Sequence, residues 1–404
     1  MQERNDAGGG RRLIGRVRTA DDTARVTTFE LFFDLVYVFA FTQVSRLMAE
    51  THSGFGILQA LIVLGLLWWT WCAYSWLANQ APADQGVVRI GMSAAMIAVF
   101  VIALAIPEAY EDLDGGWSGP LVLVIAYTVV RLIHMGLYLV AAGDDRALAM
   151  QVLRTQAVAM APATILLLIG ALVGGPAQTW IWLAAFLWDV ALTYASSRGG
   201  GGWRIYSPGH WSERYGLIVI LALGESIVAI GVGVAQEPID APITLGAALA
   251  VTLSILLWAA YFTRVAPAGE HELERRTDAA RVVLARDAYT YAHFVIVAGI
   301  ILAALGVEDA MAHVTDPEPF GWFGAAALGG GLAVYLLGTV GFARVVGMAW
   351  PWVRIATALV MAAASPLLAI IAPMAALLVV VAIVAVGLAV DGGRRGRTAT
   401  AATT

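Results

Sequence analysis

Twelve apolar stretches of about twenty residues follow one another along this chain, and a helix of that length and composition is what crossing a hydrocarbon core requires. They lie at roughly 29–48, 55–78, 87–107, 119–141, 151–173, 177–196, 214–236, 243–263, 283–306, 322–341, 351–371 and 373–390. The last two are one apolar run divided near Pro373, where a proline marks either a tight turn or a kink. Of the 404 residues 60% are hydrophobic and only 13% charged, against about 25% charged in soluble domains. Such a chain cannot hide its apolar surface in a water-soluble core, and it is too apolar for disorder. The single cysteine, Cys72, excludes a disulfide scaffold. The runs are continuous and do not alternate with period two, so a β-barrel is excluded. The expected fold is all-α: a polytopic integral membrane protein whose first partner is the lipid bilayer.

Charge orients the spans. Lysine is absent, so all 24 basic residues are arginines. With the N-terminus in the cytoplasm, every cytoplasmic segment holds arginine: the N-terminal tail; Arg89; Arg146 and Arg154; Arg198, Arg204 and Arg214; Arg264 through Arg286; Arg344 and Arg354; and the C-terminal tail. The alternate loops are acidic, with Glu108, Glu111, Asp112 and Asp114, then Glu237 and Asp240, then Glu308, Asp309, Asp316 and Glu318. The positive-inside rule puts both termini in the cytoplasm and requires an even number of spans. Residues 1–28 read as a disordered cytoplasmic tail, and 391–404 as a cytoplasmic C-terminal tail. Arg11-Arg12 does not make a twin-arginine signal, because no apolar stretch follows at once and the first span carries Glu30 and Asp34. No cleaved leader is expected. Basic residues form no continuous patch for nucleic acid.

The chain also resembles itself. FELFFDLVYVFAFTQVSRL from Phe29 aligns with SERYGLIVILALGESIVAI from Ser212 at an offset of 183, placing Glu30 on Glu213 and Thr42-Gln43 on Glu225-Ser226. Farther on, Arg89 falls opposite Arg286 and Arg154 opposite Arg354. The expectation is two parallel six-helix units, 29–196 and 214–390, joined by a cytoplasmic loop at 197–213 and related by an axis along the membrane normal.

Ionisable groups inside a membrane are costly, so each is a candidate for function. Glu30 and Asp34 share a helical face near the cytoplasmic end of the first span. Helix capping is sufficient for Glu30; Asp34 either lines a path or pairs with an arginine, for which Arg154 lies at similar depth. Glu225, in LGES between Gly224 and Ser226, sits near the midplane and should be protonated or partnered, as a functional site or as a buried structural hydrogen bond. Arg131 and His134 share a face of the fourth span, Asp189 lies in the sixth, and Asp287 and His293 in the ninth. Arg131 could form a neutral inner cluster with Asp189, Glu225 or Asp287. The two histidines titrate near neutral pH unless they are satisfied core residues. His210 and Glu213 have the i, i+3 spacing of metal ligands, but no third ligand accompanies them and no metal is expected. Ser212, with Glu213 and Arg214, reads as a helix start. Gly170, Gly174 and Gly329 to Gly331 point to close helix packing, and Trp117, Trp203, Trp322 and Trp350 to interfacial belts. SSRGGGGWR lacks the P-loop pattern, and nothing asks for an enzyme or a cofactor.

ELFFDLVYVFAFTQVS with HWSERYGLIVILALGESIVAIG closely resembles the bacterial low temperature requirement protein A (LtrA) family, across nearly the whole chain in number and order of spans. The positions this resemblance carries over are Glu30, Phe33, Asp34, His210, Glu213, Arg214, Gly224, Glu225 and Ser226. It implies a bacterial inner-membrane protein named for a cold-growth phenotype. FFDLVYVFAFT is also similar, more weakly, to the first-helix FSD signature of potassium channels built from six-span repeats, with Phe33 where those have serine. The expected function is transport of a small solute or ion along a path including Asp34 and Glu225, with Arg131, Asp189 and Asp287 as charge partners. A cation channel, or a non-transport scaffold or sensor, is the alternative, and a homo-oligomer is left open.

Overall fold

The computed structural model describes residues 24–198, 202–235 and 237–401, with the backbone alone from residue 393 on. The expected N-terminal tail falls outside these residues up to Arg25 and its neighbours, which lead into the first helix. No strand occurs among the described residues. The helices are α1 (Thr28–Thr51), α2 (Gly54–Gln80), α3 (Gly86–Ala105) and α4 (Gly119–Ala142). Then come α5 (Arg146–Val173), α6 (Gly175–Ser196), α7 (Pro208–Gly233) and α8 (Ala241–Phe262). A short α9 (Val265–Arg275) precedes α10 (Asp278–Ala312), α11 (Trp322–Val346), α12 (Trp352–Ile370) and α13 (Pro373–Ala401).

Among the described residues eleven helices are long and apolar enough to cross a membrane; α6, with its polar Gln178 and Asp189 and its tryptophans, is less apolar. Geometry shows that α6 nevertheless crosses the bundle. Glu30 meets His210 at 2.8 Å and Thr42 meets Glu225 at 2.7 Å, so α1 and α7 run side by side in the same direction. The Trp182 indole donates to the Leu167 carbonyl at 2.9 Å and Trp188 to Val158 at 3.1 Å, so α6 returns antiparallel to α5. An even number of crossings therefore separates the starts of α1 and α7. The loops then alternate between two faces of the bundle: a near face where α1 begins, which gathers the arginines, and a far face, which gathers Glu108 to Asp114, Asp240 and Asp316.

The most enclosed spans are α2, α10 and α11, with 72% of each apolar window buried, against 28% for α13. Glycine explains how closely α10 and α11 approach. A Cβ on Gly299 would lie 2.3 Å from the Tyr335 backbone nitrogen, one on Gly306 2.3 Å from that of Leu328, and one on Gly331 2.3 Å from that of Ala303. The two backbones touch with no side chain between them, as small residues permit in a membrane. Gly329 faces Ser365 of α12, whereas Gly330 faces open space. Gly170 accommodates the Trp182 ring, and Gly174 (φ +68°) turns the chain between α5 and α6.

Several boundaries differ from expectation for local reasons. Ser207, not Ser212, caps α7 by accepting from the His210 N–H, with Pro208 in the first turn. His210, Glu213 and Arg214 are thus already helical, and the connecting loop ends before 213. The run near Pro373 is two helices, broken at Ile371 and Ala372. α5 starts earlier, at Arg146, capped by Asp145. α13 continues past 390 as a helix, and Asp391 there takes ion pairs from Arg264 (3.0 Å) and Arg354 (3.2 Å).

Two helices change pitch. α5 is π-helical over Gln156–Met160, and α10 over Ala285–Ala292. In α5 the cause is Pro162, which cannot donate to Val158; the Trp188 indole donates there in its place. In α10 the Thr290 carbonyl accepts from the Trp68 indole at 2.8 Å, and the Ala288 carbonyl lies 2.9 Å from His293 Nδ1.

Candidate functional site

The near-face ends of α1 and α7 are sewn together by charge. Thr27 and Glu30 form a capping box, in which the Thr27 N–H donates to Glu30 Oε2 at 2.8 Å. The other oxygen of Glu30 lies 2.8 Å from His210 Nε2 and 3.2 Å from Arg214 Nη1. One helical turn deeper, Asp34 Oδ1 accepts from Arg214 Nη2 at 3.0 Å and from the Trp71 indole at 2.8 Å. Asp34 and Arg214 are fully buried. Asp34 therefore pairs with Arg214; the pairing considered with Arg154 is not formed, and Arg154 is exposed at the outside of α5. Asn79 of α2 completes the seam: its amide donates to the Ser207 carbonyl and its oxygen accepts from the Tyr206 N–H, both at 2.8 Å. Glu213 stands outside the cluster and accepts from the Val26 N–H at 3.2 Å. Phe33 is buried against the rings of Tyr74 (5.1 Å) and Tyr37 (5.5 Å), an aromatic contact at the position where the channel signature has a polar one.

Arg131 and Asp189 are brought together. Arg131 Nη1 donates to Asp189 Oδ2 at 2.5 Å and to the Tyr127 hydroxyl at 2.8 Å, and Nη2 faces Gln156 at 3.4 Å. Both members of the pair are buried, and each is compensated by the other. In front of them is a cleft of about 90 Å³ between α2, α4, α5, α6 and α10. Its floor holds Arg131 and His134; its walls include Trp69, Trp76, Tyr138 and Tyr291; Trp203 and Arg286 stand at its near-face end. The two π-helical segments form facing walls, through Gln156 on α5 and Thr290 and Tyr291 on α10. π-turns concentrate at functional sites because the extra residue re-aims side chains. Trp203, expected in an interfacial belt, instead packs edge-on against Tyr138 (5.4 Å) and Trp76 (6.1 Å). Trp117, Trp322 and Trp350 are exposed, as belt residues are.

The other ionisable groups lie apart. Asp287 is half-buried and paired with its neighbour Arg286 at 2.6 Å, so it does not join Arg131. Arg286 also donates to the Ser197 carbonyl at 2.9 Å and stacks over Tyr194 at 4.2 Å. Glu225 is buried in the α1–α7 contact beyond the seam, where the Thr42 hydroxyl donates to it at 2.7 Å, and no ion pair involves it among the described residues. Ser226 is buried with no hydrogen-bond partner for its hydroxyl, and a Cβ on Gly224 would meet open space, so Gly224 does not mediate close packing. His293 is a satisfied core histidine, 2.6 Å from the Tyr261 hydroxyl. No group of three or more His, Cys, Asp or Glu among the described residues could hold a metal.

Sequence reasoning singled out Arg131, His134 and Asp189 but missed the cleft itself. Gln156 and Arg286 belong to it, and the polar Thr155-Gln156 pair shortly before Pro162 was its local signal.

Comparison with known proteins agrees with this architecture over nearly its whole length. A family model for the bacterial low temperature requirement A protein (LtrA) matches residues 25–389. An uncharacterized protein of Rhizobium meliloti (strain 1021) is 28% identical over 353 residues, covering 82% of this chain and 80% of the relative. No solved structure matches.

Proposed function

The chain belongs to the bacterial low temperature requirement A family, and from that premise we propose that it is a transport protein of the bacterial inner membrane, with both termini in the cytoplasm. The observation that carries this reading is the cleft before Arg131 and His134. Its lining runs from Arg131 and His134 within the bundle to Trp203 and Arg286 toward the near face, where the arginines gather. A cleft lined in this way, reaching into the bundle from that side, supports a solute site reached from the cytoplasm. The two six-span halves are part of the proposal: α1 and α7 run parallel, and Thr42 touches the residue it aligns with, Glu225. Glu225 is the protonatable group across which coupling would pass, and Arg131 with Asp189 is the charge pair at the solute's end. Asp34 serves as a structural anchor through Arg214, and Asp287 fixes Arg286 at the cleft's entrance. No catalytic chemistry is assigned.

A second reading has its own support. The Glu30–Asp34–His210–Arg214 seam is buried and paired, as a lock between helices would be in a scaffold or sensor. Flux of protons and potassium in proteoliposomes under imposed gradients, wild type beside Glu225→Gln, separates the two. Coupled transport gives flux that the equally folded variant loses. A scaffold gives none in either, and a channel gives flux whose selectivity changes.

A further inference from the structure

The chemistry of the cleft narrows what it can hold. Arg131 uses its Nη atoms on Asp189, Tyr127 and Gln156, but its Nε–H is buried without a partner. His134, one turn along the same face and 5% exposed, has neither ring nitrogen in a well-formed hydrogen bond; the Ala73 backbone lies beside it. Buried polar atoms are rarely left this way, and both residues that carry them line the cleft, so a small side-chain adjustment would offer them to a ligand. The space before them is walled by Trp69, Trp76, Tyr138 and Tyr291, and Arg286 adds a second guanidinium. Among the described residues no carboxylate lines it: Asp189 pairs with Arg131, and Asp287 is held by Arg286.

We propose that the cleft binds a small organic monoanion with a flat apolar body, its carboxylate-like group on Arg131 and His134 and its body between the aromatic walls. Guanidinium donors recognise oxyanions with directional, charge-assisted hydrogen bonds, and flat aromatic walls favour a planar apolar group. A cationic ligand would find no free carboxylate among the described residues of the lining, those of Asp189 and Asp287 being taken by Arg131 and Arg286. This assignment rests on the reading of the cleft as a solute site.

The test is calorimetric titration of the purified full chain in detergent with benzoate, benzylammonium and benzyl alcohol, which share a ring and differ in charge. Benzoate is expected to bind at least about tenfold more tightly than benzyl alcohol, the worth of one charge-assisted hydrogen bond, and benzylammonium more weakly than either. His134→Phe keeps a ring of similar shape without donors. It should leave the unliganded protein close to wild type in stability, since it gives up no well-formed hydrogen bond, and should erase most of the preference for benzoate. Trp203→Ala should weaken all bound probes alike. Preference for benzylammonium, or unchanged selectivity in His134→Phe, overturns the anion assignment while leaving the cleft a binding site. Binding of none of the three overturns the assignment, and the transport reading then stands or falls on the flux measurement alone.

Discussion

Replacing Arg214 by methionine should unlock the near-face seam, and the geometry says which residue suffers. Two buried carboxylates share this guanidinium, Glu30 at 3.2 Å and Asp34 at 3.0 Å. Removing one partner of a buried ion pair costs about 3–5 kcal/mol, because a charge is left without compensation. Glu30 would keep His210, the Thr27 N–H and the Thr27 hydroxyl. Asp34 would keep only the Trp71 indole on Oδ1, and its Oδ2 has no partner even now. Most of the loss therefore belongs to Asp34. Asp34→Asn added to Arg214→Met should recover more than half of it, and Glu30→Gln in the same background should recover little. The assay is reversible unfolding in mixed micelles titrated with SDS, with each variant compared in the same detergent. If Arg214→Met falls within about 0.5 kcal/mol of wild type, the size of an inconsequential surface change, the seam does not hold the bundle. If Glu30→Gln rescues as well as Asp34→Asn, the charge accounting is wrong.

Two further contacts are probed by the same titration, each with a variant and its control. Gly306→Ala forces a Cβ to within 2.3 Å of the Leu328 backbone nitrogen and should cost about 3 kcal/mol or more, at or above the usual range for overpacking; Gly330→Ala, which meets nothing within 4 Å, should be neutral or slightly stabilising. Thr42→Val removes the donor to buried Glu225 and should cost about 1–3 kcal/mol, with Thr42→Ser retaining most of the stability; equal losses for valine and serine would show that packing, and not the hydrogen bond, matters there.

The helices and their alternation were legible because hydropathy and arginine placement act over twenty residues at a time. α6 was read as a span despite its polar Asp189 and Gln178, and its crossing follows from the parallel run of α1 and α7. The pairing of Asp34 was not legible. Arg154 and Arg214 stand at similar depth, and only the lateral arrangement of α1, α5 and α7 chooses between them, which no periodicity within one helix encodes. Arg131 with Asp189 was one of three combinations open to Arg131, for the same reason. The π-turn in α5 had a written cause in Pro162, but that in α10 has no proline or glycine to announce it; Trp68, from another helix, takes one of its carbonyls. Those two turns supply part of the cleft's wall, and that part was invisible for this reason.

The glycine contact between α10 and α11 bears on how the cleft can change shape. Two backbones in direct touch have no side-chain layer to slide upon, and displacing one by a residue would drive a side chain into the other's main chain. The pair is therefore a stiff spar, and α10 carries Thr290 and Tyr291 on it as a fixed jaw. The opposite jaw, α4 with α5 and α6, meets backbone at a described glycine where Gly119, at the far-face end of α4, touches Glu108; along its length Gly170 meets the Trp182 ring, and Leu137 of α4 lies over Gly91 of α3, and these are side chains, which can yield. Its α5 is already loosened by Pro162, just past the end of the π-helical stretch that begins with Gln156. Widening or closing of the cleft falls to that side, and a spectroscopic ruler should be anchored on α11 and carried on α5.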